Sequence, residues 1–212
     1  DPSTYLDVMV TLKRVAGALA ISMVVGFLAA YFMSKKGFAG GVISVYVNLA
    51  LGLPSTIAAL LALFIFKRSE IGVYAVVAVT TFPFIVITLL GGLRSADRRL
   101  DQMSHVYRLG NWAHIRHVSL PHIVPYVIAA LRNENAHAWR VVVLAEVFAV
   151  NSGMGARFTR AFDRFRIVDV ILWLLAFMTI MLSTEYLVLR PIERYVLRWR
   201  EGSRTEGREG NG

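Results

Sequence analysis

The sequence lacks cysteine and contains few charged residues. None of its 212 residues is Cys, and Asp, Glu, Lys and Arg together make up 17%. The absence of cysteine excludes disulfides and thiolate metal sites. A soluble domain of this length would carry more charge and fewer apolar residues than this chain, which is 56% hydrophobic. The composition therefore favours a polytopic membrane protein.

The sequence also lacks the usual motifs of catalysis and metal binding. It has no glycine-rich phosphate loop, no Ser-His-Asp order and no paired carboxylates, and "GMGARF" is a single short glycine pair rather than a nucleotide cradle. His114, His117 and His122 have no carboxylate or further histidine at ligand spacing, so we expect no metal site. We therefore expect neither an enzyme nor a bound cofactor, and no ATP hydrolysis by this chain.

Long apolar runs are what the sequence does contain. Val15–Met33, Val42–Phe66 and Ile71–Leu93 carry no charge, and each can cross a hydrocarbon core of about 30 Å as a helix. Pro121–Val150 and Val170–Leu189 are further candidates with polar interruptions. No signal-peptide pattern precedes these runs. We predict an all-α membrane protein with about five transmembrane helices.

The net charge of +9 raises the question of a nucleic-acid partner. If the hydrophilic loop 94–121 is cytoplasmic, alternation places Ser34–Gly37 and the C-terminal tail on the same side. Those regions hold most of the Lys and Arg, in agreement with the positive-inside rule. We therefore expect a lipid environment and no nucleic acid, with a transmembrane domain over 1–200 and a disordered tail over 201–212.

Proline and glycine interrupt the second run. Gly52 and Pro54 lie in "GLPS", where a missing backbone donor and added backbone freedom predict a helix break. A break at membrane depth is tolerated only where protein or a water-filled cavity covers the freed polar groups.

The loop 94–121 shows helical spacing of apolar residues. We predict two short amphipathic helices along the membrane surface, separated near Gly110, and the alternative is an ordinary solvated loop. Because the residue before a proline avoids the helical region, we expect Leu120-Pro121 to end the second one. Pro121 and Pro125 then fall in the first turns of the next helix, where missing donors cost little.

This loop resembles the signature loop of binding-protein-dependent ABC importer permeases. Their pattern is Glu-Ala-Ala, three residues, Gly, nine residues and Ile-x-Leu-Pro. The end of the pattern matches "VSLP" in this chain, whereas the first half departs from it. In an ungapped match the motif positions, with the local glycine added, fall on Gln102, Met103, Ser104, Arg108, Gly110, Val118, Leu120 and Pro121.

Other segments resemble the nitrate, taurine and alkanesulfonate group of these permeases. "TLKRVAGALAISMVVGFLAAYFMSKK" is similar to the group's first scaffold helix, and "GLPSTIAALLALFIF" to its proline-containing helix. "AWRVVVLAEVFAVNSGMGARF" resembles its tryptophan-containing helix and the glycine-rich loop that follows. "YRLGNWAHIRHVSLPHIVPY" with "LRPIERYVLRWR" is similar to members that import thiamine-pyrimidine precursors. The resemblance covers nearly the whole chain and implies one more N-terminal helix.

The resemblance implies a permease subunit in a bacterial inner membrane. Its coupling helices would contact a cytoplasmic ABC ATPase dimer, which binds the ATP and Mg. The other implied partners are a second permease copy and a periplasmic or lipoprotein solute-binding protein. The implied solute is small and anionic or heterocyclic: nitrate, a sulfonate, taurine or a pyrimidine precursor. The alternative is a non-transporting scaffold or regulatory protein with a permease-like fold, favoured by the altered Glu-Ala-Ala half.

The fourth run carries polar residues on two faces. At about 100° per residue, Asn133, His137 and Arg140 share one face of a helix. Intramembrane polar groups usually face the bundle interior or a cavity, so we expect one face to line the translocation path. Ion pairs that only hold helices together are the alternative. The second face consists of Arg132, Asn135, Trp139 and Glu146. From this face the resemblance favours Trp139 and Glu146 as residues of the path.

The stretch "NSGMGARFTRAFDRFRIVD" predicts a short outer helix. Phe158, Phe162 and Phe165 recur at helical spacing, with arginines between them. Outside the membrane such a helix suits contact with a solute-binding protein. An interfacial helix anchored at the lipid headgroups is the alternative.

Overall fold

The computed structural model describes residues 2–35, 37–66, 69–95 and 110–198. Throughout these ranges the regular structure is helical, which confirms the all-α prediction. The helices are α1 (Pro2–Ser34), α2 (Phe38–Gly52), α3 (Ser55–Phe66), α4 (Glu70–Arg94), α5 (Asn111–His114), α6 (Leu120–Ala149), α7 (Met154–Asp163) and α8 (Ile167–Ser183). Two π-helical turns, Ile115–Ser119 and Thr184–Leu189, continue α5 and α8, and the last helix extends to Arg198.

Among the described residues, three helices are long and apolar enough to cross a membrane on their own. They are Thr4–Ser34, Glu70–Arg94 and Ile167–Arg198. Two bent pairs of helices pass the same test when each pair is taken together. The first pair is α2 with α3, bent by 105°, and the second is the helix Trp112–Ala149 with α7, bent by 53°. Up to five spans result, and the number predicted from the apolar runs agrees with this upper count. The break between α2 and α3 lies at Leu53-Pro54, within the "GLPS" stretch.

The central helix α4 packs against α1 and α6. Helices α1 and α4 run parallel, because Arg94 at the end of α4 donates to the carbonyl of Met33 (3.5 Å) near the end of α1. Helix α6 runs the other way, since Tyr126 near its start lies 2.8 Å from the hydroxyl of Ser95. We call the end with Ser95 the inner end, because it adjoins the loop 94–121, and the opposite end the outer end.

Small residues let α1 and α4 approach closely. A Cβ on Gly26 would lie 2.6 Å from the Cγ2 of Ile85, so a larger residue would separate the helices. One turn away, the buried hydroxyl of Thr81 donates to that of Ser22 at 2.9 Å. Small residues and hydroxyl hydrogen bonds are the contacts expected between helices in lipid, where apolar surface alone drives no association.

The expected end of the surface helix at Leu120-Pro121 is wrong. Helix α5 passes through the π turn Ile115–Ser119 directly into α6 without a break. A π turn is wider than an α turn and leaves room for a proline ring that would otherwise clash with the carbonyl four residues earlier. The second π turn likewise ends two residues before a proline, Pro191. The first predicted surface helix and the tail 201–212 lie outside the described residues.

Candidate translocation path and the outer ion-pair cluster

One polar face of α6 packs against the last helix. Arg132 donates from Nε to Glu185 Oε1 (2.8 Å) and from Nη1 to Glu193 Oε2 (2.9 Å). Asn135 Nδ2 donates to Glu185 Oε2 at 3.5 Å, the long limit of a hydrogen bond. The fully buried Trp139 donates from Nε1 to the hydroxyl of Thr184 at 3.1 Å. These contacts hold α6 and the last helix together, and they border a cavity of about 360 Å³ that Asn133 also lines.

The other polar face of α6 is open. Asn133 and Arg140 are exposed, and His137 is half-buried. His137 and Arg140 line a cavity of about 160 Å³ together with Thr56 of α3. Arg140 donates from Nε to the carbonyl of Ala136 (3.1 Å) and forms no ion pair within the described ranges. This face therefore presents a cation and an imidazole to the space beside α3.

Glu134 adds a buried carboxylate beside the open face. Its side chain is 8% exposed, and within the described part of the chain its Oε2 has no hydrogen-bond partner. The buried Nε2 of His137 also has none there, and the His137 ring lies 6.0 Å from the ring of Phe84. Glu134, His137 and Arg140 follow one another at three-residue spacing, from the packed side of α6 to its open side.

At the outer end, Glu146 lies at the centre of a buried hydrogen-bond cluster. Its carboxylate is 0% exposed and receives hydrogen bonds from Arg14 Nη1 (2.8 Å) and from the hydroxyl of Thr11 (2.9 Å). The amide of Gly155, at the start of α7, donates to Glu146 Oε2 at 2.9 Å. The carboxylate therefore joins α1, α6 and α7.

Arg14 uses all of its N–H donors in this cluster. Besides Glu146 it binds both carboxylate oxygens of Glu70, with Nε at 3.0 Å from Oε2, and the carbonyl and hydroxyl oxygens of Ser152 at 2.9 and 2.8 Å. A buried charge is tolerated when it is paired and its remaining donors are satisfied. Arg14, 2% exposed, meets both conditions and ties α4 into the cluster.

The glycine-rich loop before α7 packs directly against the carboxylate of Glu146. Gly153 has φ = 98°, and a Cβ at this position would lie 2.4 Å from Oε1 of Glu146. Its amide donates to Asp7 Oδ1 at 3.0 Å, and the other carboxylate oxygen of Asp7 pairs with Arg157. The chain's own carboxylates thus occupy amides that an external anion would otherwise bind.

Sequence reasoning missed Arg14 and Thr11. Arg14 immediately precedes the first uncharged run, and Glu146 lies within another span. An intramembrane carboxylate needs a counter-ion. The presence of Glu146 within a span and of Arg14 at the edge of another could therefore have predicted the ion pair. The structure places Asn135 and Trp139 against the last helix and Glu146 in the outer cluster, and the assignment of all three to the path stays a prediction.

The coupling residues fall partly within the described chain. Gly110 precedes α5, Val118 lies in the π turn, and Leu120 and Pro121 begin α6. Trp112 of α5 is 74% exposed, and Leu120 is also exposed, so apolar side chains project from the inner end. The remaining positions, Gln102, Met103, Ser104 and Arg108, lie outside the described residues.

A helical bundle with an open polar face and an exposed apolar surface at its inner end fits a membrane transport component. The family model for inner membrane components of binding-protein-dependent transport systems matches residues 22–200. The chain belongs to this family. It is therefore a multi-pass inner membrane protein and a transport component rather than an enzyme, as the sequence predicted.

Relatives in this family agree with the resemblance. The nitrate import permease protein of Synechococcus elongatus is 23% identical over 71% of this chain and 54% of its own length. A putative aliphatic sulfonates transport permease protein of Escherichia coli is 31% identical over 60% of this chain and 48% of its own length. The chain thus spans about half the length of these two relatives. A probable ABC transporter permease protein of Brucella abortus is 23% identical over 92% of the chain and 78% of its own length.

A solved structure shares the fold. The crystal structure of an amino acid ABC transporter with histidines contains a chain that superposes with a TM-score of 0.70 at 18% identity. The match covers 92% of this chain and 94% of the other. At this identity the likeness establishes the arrangement of helices and nothing about the solute.

Proposed function

We propose that the chain is the permease subunit of an ATP-driven importer for a small anionic or hydrogen-bonding heterocyclic solute. The observation that carries the proposal is the open face of α6, where His137 and Arg140 line a cavity beside α3. Arg140 offers a charge that forms no ion pair within the described ranges. The names of the nitrate and sulfonate relatives support an anion, and pyrimidine precursors remain within the same class of hydrogen-bonding solute.

The proposed partners occupy the two ends and the open side of the bundle. A second copy of the chain closes the path, because α6 leaves Asn133 and Arg140 exposed. A cytoplasmic ATPase dimer contacts the inner end and binds the ATP and Mg, while this chain binds neither. A periplasmic or lipoprotein binding protein delivers the solute at the outer end.

The proposed coupling uses the continuity of α5 and α6. Since the helix runs from Trp112 to Ala149 without a break, movement of its inner end displaces the segment that carries His137 and Arg140. ATP-driven closure of the ATPase dimer would then switch the bundle between inward-open and outward-open packings. A helix that ended at Leu120-Pro121 would transmit such movement less directly.

Co-purification tests the proposed function. The tagged chain is isolated from its native membranes in mild detergent, and the co-purifying proteins are quantified by mass spectrometry. We expect an ABC ATPase in equal amount and a second permease copy. Recovery of the chain without an ATPase, in several detergents, would contradict the importer assignment and favour the non-transporting scaffold.

Arg140→Gln tests the solute site. Removing a charge-assisted hydrogen bond of about 1.5–3 kcal/mol should lower uptake of an anionic solute by roughly tenfold to a hundredfold. Arg140→Lys keeps the positive charge and should retain more activity than Gln. Uptake of labelled solute into cells is the measurement, with ATPase co-purification as the check on assembly.

Arg194→Gln is the matched control for Arg140→Gln. It removes the same charge near the inner end of the last helix, away from the cavity lined by His137 and Arg140. If Arg140→Gln and Arg194→Gln take up solute equally well, Arg140 does not belong to the solute site.

A further inference from the structure

Two cavities adjoin each other where α7 and α8 meet and where both pack beside α6. The first, which we call the arginine pocket, has a volume of about 240 Å³. It is lined by Arg157, Arg160, Arg164 and Arg166, together with Asp169 and Trp173. The path beside α3 does not include these residues, so the pocket is a separate feature of the molecule.

The charges of the arginine pocket do not balance. Asp169 pairs with Arg166 Nε at 2.8 Å, and Asp7 pairs with Arg157. Arg160 donates from Nε to the carbonyl of Ala156 (3.2 Å). Within the described ranges neither Arg160 nor Arg164 forms an ion pair, and the charge of Arg160 acts on Asp7, which Arg157 already pairs. Two guanidinium groups in one concave site attract an anion, and their planar donor arrangement suits phosphate oxygens in particular.

The second cavity, which we call the apolar groove, shares Trp173 with the arginine pocket. Its volume is about 250 Å³. Its walls include Val143 and Val147 of α6, Phe158 of α7, and Leu174 and Phe177 of α8. Arg140, which also lines the cavity beside α3, is the one charged wall residue in the part of the chain that the structure describes. A polar pocket therefore continues into a hydrophobic channel.

The combined site has a cationic part and an apolar part, which together suit an amphipathic anion. We propose that it binds an anionic phospholipid of the outer leaflet, with the phosphate in the arginine pocket and an acyl chain in the apolar groove. Lipid reaches this place directly, because α8 has no buried residue and exposes Ile167 and Val168 beside the arginines. An acidic protein surface could neutralise the arginines but would leave the groove empty.

Direct lipid binding to the purified 212-residue chain tests the proposal without ATPase or solute. Native mass spectrometry would compare long-chain phosphatidylglycerol, phosphatidylcholine with the same chains, and glycerol phosphate. We expect a one-to-one adduct with phosphatidylglycerol, about tenfold tighter than with either of the others, since only this lipid supplies both net charge and acyl chain. Equal binding of glycerol phosphate would overturn the role of the groove, and equal binding of phosphatidylcholine would overturn that of the arginines.

The double variant Arg160→Gln/Arg164→Gln locates the site. We expect it to bind phosphatidylglycerol about tenfold more weakly, because two charge-assisted contacts are lost. The matched control, Arg194→Gln/Arg198→Gln, removes the same charge near the inner end and should stay within about twofold of the parent. Equal losses in both variants would mean that net charge alone attracts the lipid. If the double variant fails to fold, the single variant Arg164→Gln at an exposed position serves instead.

A protein occupant gives a different result. If phosphatidylglycerol does not bind, and the Arg160→Gln/Arg164→Gln variant loses its response to the solute-binding protein, the arginine pocket serves a protein partner and the lipid proposal is wrong. Because lipid binding is measured on the isolated chain, its failure leaves the proposed transport function untouched.

Discussion

Glu146→Ala should destabilise the protein by about 3–5 kcal/mol, the usual cost of removing one partner of a buried ion pair. The variant would leave Arg14, which is 2% exposed, without its buried counter-ion, and would leave the amide of Gly155 without its acceptor. Thermal unfolding in one detergent, followed by the fluorescence of the four tryptophans, measures the loss.

Glu70→Gln is the matched control for this prediction. Glu70 binds the same arginine, but its side chain is 61% exposed, so we expect a change of only about 0–1 kcal/mol. The double variant Arg14→Met/Glu146→Leu removes both buried charges and should be less destabilised than the sum of the two single variants. Equal unfolding temperatures for Glu146→Ala and Glu70→Gln would show that the cluster does not hold the outer end together.

Trp112→Ala should weaken co-purification of the ATPase by about 30-fold or more, because an anchoring tryptophan at an interface contributes about 2 kcal/mol or more. Trp112 is 74% exposed on α5, the segment that the resemblance assigns to the ATPase contact. The measurement is the ratio of ATPase to tagged chain after purification in one detergent. Truncating an exposed side chain should leave the unfolding temperature nearly unchanged.

Phe165→Ala is the matched control for Trp112→Ala. Phe165 is an aromatic side chain, 90% exposed, at the opposite end of the bundle. Its truncation should leave the ATPase ratio unchanged. If both variants retain the ATPase equally well, the contact does not involve Trp112, and the coupling surface must lie elsewhere on the inner end.

The two polar faces of α6 show what helical spacing in the sequence can and cannot predict. Spacing alone separates Asn133, His137 and Arg140 from Arg132 and Trp139. The structure keeps His137 and Arg140 apart from the second set, but Asn133 lines a cavity together with Arg132. Spacing could not say which residues border a cavity, since that depends on the rotation of α6 relative to α3 and the last helix. The resemblance favoured Trp139, whereas the cavity beside α3 is lined by His137 and Arg140.

The continuous helix from α5 to α6 is an exception to the rule that a helix ends before a proline. Avoidance of the helical region before Pro121 is a tendency of the isolated dipeptide. A π turn immediately before the proline removes the steric conflict, and helical hydrogen bonds then continue through it. No sequence signal distinguished a π turn from a helix end at this position.

The sequence by itself determined the membrane class, the upper count of five candidate spans, the break within "GLPS", and the resemblance to permeases. These features depend on composition and on spacing within one helix, which are local properties. Only the tertiary structure decided that Glu146 pairs with Arg14, 132 residues earlier in the chain, and that an arginine pocket opens into an apolar groove. Such pairings depend on how separate helices rotate and pack against one another, and the periodicity within each helix is compatible with many of those arrangements.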